Sequence, residues 1–258
     1  MDYQAITLAI RNDVAVITLN RPDMMNALNT QMRAEITHAV KAPEKDARVL
    51  VMTGAGKAFC SGQDLGDGGS AASLDLERTL RDEYVPMLKA IFDCRIPTIA
   101  AVNGPAAGAG ANLALAADVV IASDAAYFVQ AFTRIGLIPD AGGTYWLPRQ
   151  VGSAKAMGAA LFADKITAEQ AEAWGMIYET APAATFQEHV SARAAHLAQG
   201  PTVAYRELKQ AIRGSFENSL DEQLALEAKL QGRCGKTRDF QEGVVAFLEK
   251  RKAVYEGR

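Results

Sequence analysis

Hydrophobic positions along this chain follow two rhythms. In the first half, short apolar runs alternate with glycine-containing loops and helix-like segments. Ile6 to Ile10 and Val14 to Leu19 flank the polar Arg11-Asn12-Asp13, which predicts a hairpin. Arg48 to Thr53, Thr98 to Val102 and Asp118 to Ala122 are compact strands without a polar face, the kind found in parallel sheets covered by helices. A helix capped around Asn29 or Thr30 carries Met32, Ile36, Ala39 and Val40 at amphipathic spacing. A second runs from Leu74 to Phe92, where Pro86 is expected to kink or split it, and a third covers Ala111 to Ala117. The polar, glycine-rich segment from Ser61 to Ser73 reads as a mobile loop.

After Val151 the pattern turns mostly helical. Thr167 starts a short helix that Gly175 ends near the strand-like Met176 to Glu179. Pro182, Gly200-Pro201 and Gly214 separate further helices, and Ser219 to Leu230 and Asp239 to Lys252 close the chain. Val244, Val245, Phe247 and Leu248 form an apolar stripe that needs the core or another subunit to pack on. The fold class is α/β, with a soft boundary near residue 200 separating 1–200 from 201–258. The strand, loop, helix order fits a doubly wound sheet and a coiled stack of ββα units equally.

Composition narrows the function classes. The chain has 258 residues, 49% of them hydrophobic, enough for one sizeable core. A net charge of −3 without a long basic run argues against nucleic acid as a partner. No apolar stretch has the length of a membrane span, and residues 1–20 read as a strand pair rather than a signal peptide. Cys60, Cys94 and Cys234 fit neither a disulfide framework nor a metal-ligand pattern, which suits a reducing cytoplasm. His38, His189 and His196 fall in helix-like stretches away from other ligands, so no metal site is expected.

Candidate chemistry lies in three glycine-rich segments. The first is Gly56-Lys57-Ala58-Phe59-Cys60-Ser61-Gly62-Gln63-Asp64-Leu65, and the second runs from Asn103 to Asn112 and opens directly into a helix. Small residues leave main-chain N–H groups accessible there, and a helix N-terminus favours negative charge. Neither is a nucleotide motif: Gly56-Lys57 lacks the following Ser or Thr, and no acid follows the second loop at dinucleotide spacing. In the third segment Asp140 stands after Pro139 and before Gly142-Gly143 in an apolar setting. A carboxylate there is either a helix cap or a desolvated base with a raised pKa.

Taken together, the loop Gly56 to Leu65, the loop Ala101 to Asn112 and the segment Gly136 to Thr144 resemble the signature regions of the crotonase, or enoyl-CoA hydratase/isomerase, superfamily. Asn20-Arg21-Pro22, Asn26-Ala27-Leu28 and Phe247-Leu248-Glu249-Lys250-Arg251 extend the match over essentially the whole chain. The resemblance implies a spiral of ββα units followed by a C-terminal helical trimerisation region, in homotrimers or dimers of trimers. It implies an acyl-CoA thioester as substrate, with coenzyme A part of that substrate and no separate cofactor. The main-chain N–H groups of Gln63 and Ala109 would form an oxyanion hole for the thioester carbonyl. Coenzyme A would meet Met24, Ala27, Leu28, Phe59, Gln63, Asp64 and Leu65, while Lys250 or Arg251 would reach the phosphates of a neighbouring subunit's ligand. The segment 67–73 would shape the acyl pocket.

The chain departs from the hydratases of that family where their two glutamates stand. Asn112 occupies one position and Phe132 the other, and neither is a carboxylate base. Asp140 stands where isomerase members carry an acid, and the loop wording is closest to the phenylacetate-pathway branch, which isomerises 2-(1,2-epoxy-1,2-dihydrophenyl)acetyl-CoA. The expectation is an isomerase that works through an enolate with Asp140 as acid/base and Asn112 and Phe132 in the acyl site. Tyr145 and Trp146 are expected either to line that pocket with Phe132 or, as the favoured reading, to be core residues. A Δ3,Δ2-enoyl-CoA isomerase or a hydratase-like enzyme of fatty acid β-oxidation is the alternative. A non-catalytic CoA-binding scaffold is the reading from a different class.

Overall fold

The computed structural model describes residues 2–67 and 75–258. The expected hairpin is β1 (Ile6–Arg11) and β2 (Val14–Leu19), joined through Asn12 and Asp13, which both take positive φ. Asn29 caps α1 (Thr30–Lys41) by accepting from the Met32 N–H, and β3 (Val49–Gly54) follows. The next helical segment comprises α2 (Leu76–Thr79), a π turn over Leu80–Tyr84 and α3 (Val85–Phe92). Pro86 therefore falls in the first turn of α3, and the irregularity expected at it lies in the π turn directly before. The wider turn just before it accommodates a ring that would otherwise clash with the carbonyl four residues back.

The chain continues through β4 (Thr98–Val102), β5 (Ala106–Ala107), α4 (Ala109–Leu115), β6 (Val119–Ser123) and β7 (Tyr127–Val129). Helix α5 (Gly143–Phe162) bends at Gly152, and β8 (Ile166–Thr167), α6 (Ala168–Ala173) and β9 (Glu179–Ala181) follow. Four helices end the chain: α7 (Phe186–Ala198), α8 (Thr202–Gly214), α9 (Leu220–Cys234) and α10 (Arg238–Leu248). A capping box between Ser219 and Glu222 starts α9.

The main sheet has the order β1-β2-β3-β4-β6-β9, antiparallel at the first pair and parallel thereafter. A small sheet, β5-β7-β8, stands apart from it. These two- and three-residue strands escape the hydrophobic pattern because they are too short to show a period. Successive residues of the parallel strands alternate between two apolar layers. Leu50, Met52, Ala100, Val102 and Ala122 face a core shared with Met32, Ile36 and Leu113, while Val49, Val51, Ile99 and Ile121 pack against Phe186, Val190 and Ala194 of α7. Burial on both faces explains why these strands lack a polar side.

Helix α8 is tied to the sheet by charge. Lys209 donates to the Cys94 and Ile96 carbonyls and pairs with Asp118, which also pairs with Arg213. On their other side, α8, α9 and α10 leave an apolar groove lined by Leu208, Ile212, Leu224, Val244, Phe247 and Leu248. Among the described residues, no helix is long and apolar enough to cross a membrane.

The turn before α1 hangs on one buried side chain. Asn26 holds a positive φ of 57°, accepts from the Arg21 N–H, and donates to the carbonyls of Ala55 and Ala58. Replacing it would leave buried backbone groups unpaired at a position that disfavours a Cβ. Asn26→Ala is expected to lower stability by about 2–4 kcal/mol, read by urea unfolding. A loss below about 1 kcal/mol would contradict this role.

Candidate active site

Two loops meet at the start of α4, and glycine makes the meeting possible. A Cβ at Gly110 would lie 2.3 Å from the Cys60 carbonyl oxygen, and one at Gly62 would lie 2.8 Å from the Ala107 oxygen and 3.4 Å from the Ala109 nitrogen. Only a residue without a side chain lets these backbones touch. The contact is locked by hydrogen bonds from Ala107 N to Cys60 O and from Phe59 N and Cys60 N to Pro105 O. On its far edge the 60s loop pairs with Leu28, whose N–H donates to Gly62 O and whose carbonyl accepts from Asp64 N. In that parallel bridge the Gln63 N–H points away from Leu28. Among the described residues, neither the Gln63 N–H nor the Ala109 N–H has an acceptor. Two free donors thus flank one contact, the second at a helix N-terminus.

Asp140 reaches the same region on the turn before α5. Ala141 and Gly142 both have positive φ, 49° and 82°, and reverse the chain sharply. The cap of α5 is Gly142, with no side-chain cap bond, so Asp140 does not serve as the cap that its position allowed. Its main-chain oxygen accepts from Gly143 N at 2.8 Å and from Asn112 Nδ2 at 2.7 Å. Its carboxyl Oδ1 is buried and has no partner. Desolvation pushes the Asp140 pKa up to about 6, opposed only by a hydrogen bond from its own N–H.

Asn112 is fully buried and is held in turn by Gln130, whose Nε2 donates to Asn112 Oδ1 at 2.9 Å. A Cβ at Gly143 would fall 2.4 Å from Asn112 Nδ2, so Gly143 is what admits this amide. Phe132 is buried over the same loop, its ring 3.7 Å from where a Gly108 Cβ would stand. Burial pushes the Cys60 thiol up to about 12, which keeps it neutral and inert beside these donors.

The remaining sequence candidates divide by place. Ala27, Leu28 and Phe59 are buried beneath the 60s loop, and Asp64 accepts from Arg21 at 2.8 Å. Met24 and Leu65 are exposed at its rim. Lys250 follows α10 with positive φ, on the surface where Arg251 pairs with Glu242 and Glu249, and no described contact links it to residues 63, 109 or 140. Of the segment 67–73, only Asp67 lies among the described residues; it accepts from Thr30 N at 2.5 Å. Tyr145 and Trp146 are half-buried and not core residues, stacked edge to face with each other and close to Phe92; Trp146 packs against the core with its Nε1 buried and unpartnered. The patterning missed Arg33 and Tyr84, which bond to Gln63, Gln130, which bonds to Asn112, and Glu83, which pairs with Arg33. Arg33 lies three residues before Ile36 and seven before Val40, beside the apolar face of α1, and only its charge hides it there.

A layered α/β protein with two free main-chain donors beside one desolvated carboxylate is built for acyl-group chemistry through an oxyanion. The chain matches the enoyl-CoA hydratase/isomerase family over residues 9–258 and belongs to it. It is 59% identical to a probable enoyl-CoA hydratase of Rhodobacter capsulatus, with all of both chains covered. It is 43% identical to the 1,2-epoxyphenylacetyl-CoA isomerase of Escherichia coli, covering 96% of this chain and 97% of that one. A putative enoyl-CoA hydratase/isomerase structure from Mycobacterium abscessus superposes with a TM-score of 0.93 at 38% identity, covering 98% and 100% of the two chains. The crotonase-type fold expected from the motifs is the one observed.

The raised Asp140 pKa has a sign that stability measurements read. The folded carboxyl keeps its proton to higher pH than the unfolded one, so stability falls as pH rises through the window between about 4 and 6. Asp140→Asn removes that penalty. The variant is expected to gain about 2 kcal/mol over the parent at about pH 7 and nothing near about pH 4. An equal difference at both pH values, read by chemical denaturation, would contradict a desolvated carboxyl.

Proposed function

We propose that this chain is an acyl-CoA isomerase that shifts a double bond or a ring epoxide through a thioester enolate, with Asp140 as the acid/base. The observation that carries the reading is the buried, unpartnered Asp140 carboxyl oxygen on the wall that also holds the free Gln63 and Ala109 N–H groups. In this reading the two N–H groups bind the thioester oxygen. Asp140 takes the proton from the α carbon, the electron pair moves into the carbonyl, and the N–H groups hold the resulting enolate. On a linear 3-enoyl-CoA the same carboxyl returns the proton at the γ carbon, so the double bond shifts from β,γ to α,β and no atom is gained or lost. A pKa near 6 suits both halves of the cycle at neutral pH.

Coenzyme A enters as part of the substrate, along the rim formed by Met24 and Leu65, and the chemistry needs no further cofactor. Phe132 and Asn112 shape the acyl site and keep water away from the enolate. A ring-epoxide thioester, 2-(1,2-epoxy-1,2-dihydrophenyl)acetyl-CoA, is the favoured substrate, supported by the relative from Escherichia coli and by the aromatic Phe132 wall. Residues 201–258 are read as the oligomerisation region of a homotrimer or dimer of trimers, supported by the apolar groove between α8, α9 and α10.

The 59% identity to a probable hydratase favours a second reading, water addition to a 2-enoyl-CoA. Against it stands the lack of a second free carboxylate beside Asp140 among the described residues. Glu83 is gripped by Arg33 and Asp64 by Arg21.

Asp140→Asn is expected to lower exchange of the α proton with solvent by at least about 10³-fold, read by deuterium uptake, while coenzyme A affinity is kept. Normal exchange in that variant would sink the assignment. In the parent, exchange is expected to fall as pH drops through about 6, because the protonated carboxyl is no base. Turnover of a ring-epoxide thioester against a linear 3-enoyl-CoA separates the two isomerase substrates, and hydration of a linear 2-enoyl-CoA at a comparable rate would favour the hydratase.

A further inference from the structure

Arg33 is 2% exposed and is the largest of the fully buried side chains, although it sits on an amphipathic helix whose apolar face needs no charge. Taking a guanidinium out of water is costly unless every donor finds a partner. Its partners come from the turn into α1, from the 60s loop and from the π turn, and Asp67 Oδ2 lies 3.8 Å from Nη2. Nη1 donates to the Leu28 carbonyl at 2.6 Å and to Gln63 Oε1 at 2.9 Å. Nε and Nη2 both donate to Glu83 Oε2, at 3.0 and 2.7 Å, and Nη2 also meets Thr30 Oγ1. Tyr84 closes the ring: its hydroxyl donates to the same Gln63 Oε1, and its face lies 5.0 Å beneath the guanidinium.

The consequence is mechanical. The Leu28 carbonyl that Arg33 grips is also the acceptor for the Asp64 N–H, so one end of the Gln63–Asp64 peptide is fixed through it. The Gln63 side chain is fixed by Arg33 and Tyr84 together. With Gly62 O held by Leu28 N, residue 63 is pinned on both sides and at its side chain, and its N–H is the group left over. Arg33, buried and held by Glu83, acts on that N–H through Leu28 and the Gln63 side chain, and Tyr84 acts through the same side chain.

We propose that Arg33, braced by Glu83 and assisted by Tyr84, is the positioning residue that aims the Gln63 N–H at the developing enolate oxygen. This rests on the reading of Gln63 as an oxyanion donor. A donor must be oriented before the charge develops if it is to lower the barrier, and a side chain outside the site is the way to orient a main-chain N–H. Packing alone would not select a charged pair here, since apolar residues of similar volume serve stability as well or better.

The test uses Arg33→Met, Arg33→Lys and Tyr84→Phe in the full-length protein, with acetoacetyl-CoA, a thioester that ionises to an enolate, and coenzyme A as binding probes. For folded Arg33→Met, α-proton exchange is expected to lose about 10²-fold in kcat with KM within about threefold. Acetoacetyl-CoA is expected to bind about tenfold more weakly, and coenzyme A as before. Arg33→Lys, with no fork to span Leu28 and Gln63, is expected to recover little. Tyr84→Phe keeps the packing and loses one hydrogen bond to Gln63, so a kcat loss of about fivefold with unchanged coenzyme A affinity is expected. If Arg33→Met does not fold, Tyr84→Phe decides, and an unchanged kcat there overturns the proposal. So does a folded Arg33→Met that is fully active, or one that loses both probes equally. A parent protein that exchanges no α proton and binds acetoacetyl-CoA no better than coenzyme A would instead remove the isomerase reading, and the clamp with it.

Discussion

The contact between the 60s loop and the first turn of α4 is the constraint on which the site depends. Gly62 and Gly110 bring main chains to a separation that no Cβ would survive. Hydrogen bonds across the contact use the Cys60, Ala107 and Pro105 backbone groups and leave two N–H groups over. Everything else supports that geometry. The parallel strands β3 and β4 deliver the two loops to the same edge of the sheet, and Asn26 fixes the turn that carries Leu28 against Gln63. The free donors are a result of the fold and not of any one side chain.

Asp140 complements those donors through the opposite physics. The N–H groups are useful because they are fixed and unpaired; the carboxyl is useful because it is unpaired and poorly hydrated. Its main chain is held by Gly143 and by the Asn112–Gln130 amide pair, so it is placed without a hydrogen bond from any other residue to its carboxyl Oδ1, and only its own N–H opposes the rise in its pKa. The Asn112 amide works as a support, bridging Gln130 and the Asp140 carbonyl. Left-handed backbone at Ala141, a strained conformation for a residue with a Cβ, is part of the cost of that placement.

Much of this was legible in the chain itself. The hairpin, the buried strands and the amphipathic first helix follow from hydrophobic spacing, because burial on one or two faces writes a period of two or a solid apolar run. Motif wording located the loops that meet at α4 and singled out Asp140. Three things were not legible. The π turn over Leu80–Tyr84 answers Pro86 by widening the helix, and sequence spacing alone predicts a break. Strands β5, β7 and β8 are too short for any periodicity. Arg33 has the charge of a surface residue, and its burial depends on partners far along the chain, Gln63 and Glu83 among them.

The central claim is that one desolvated carboxyl carries a proton from one carbon to another beside a fixed pair of N–H donors. A 3-enoyl thioester deuterated at the α carbon reads this directly, by the position of the label in the first product formed in ordinary water. Transfer by Asp140 in a site that excludes water predicts that a substantial share of the deuterium reappears at the γ carbon. Complete loss of the label to solvent, or a product that has gained water, would contradict the account.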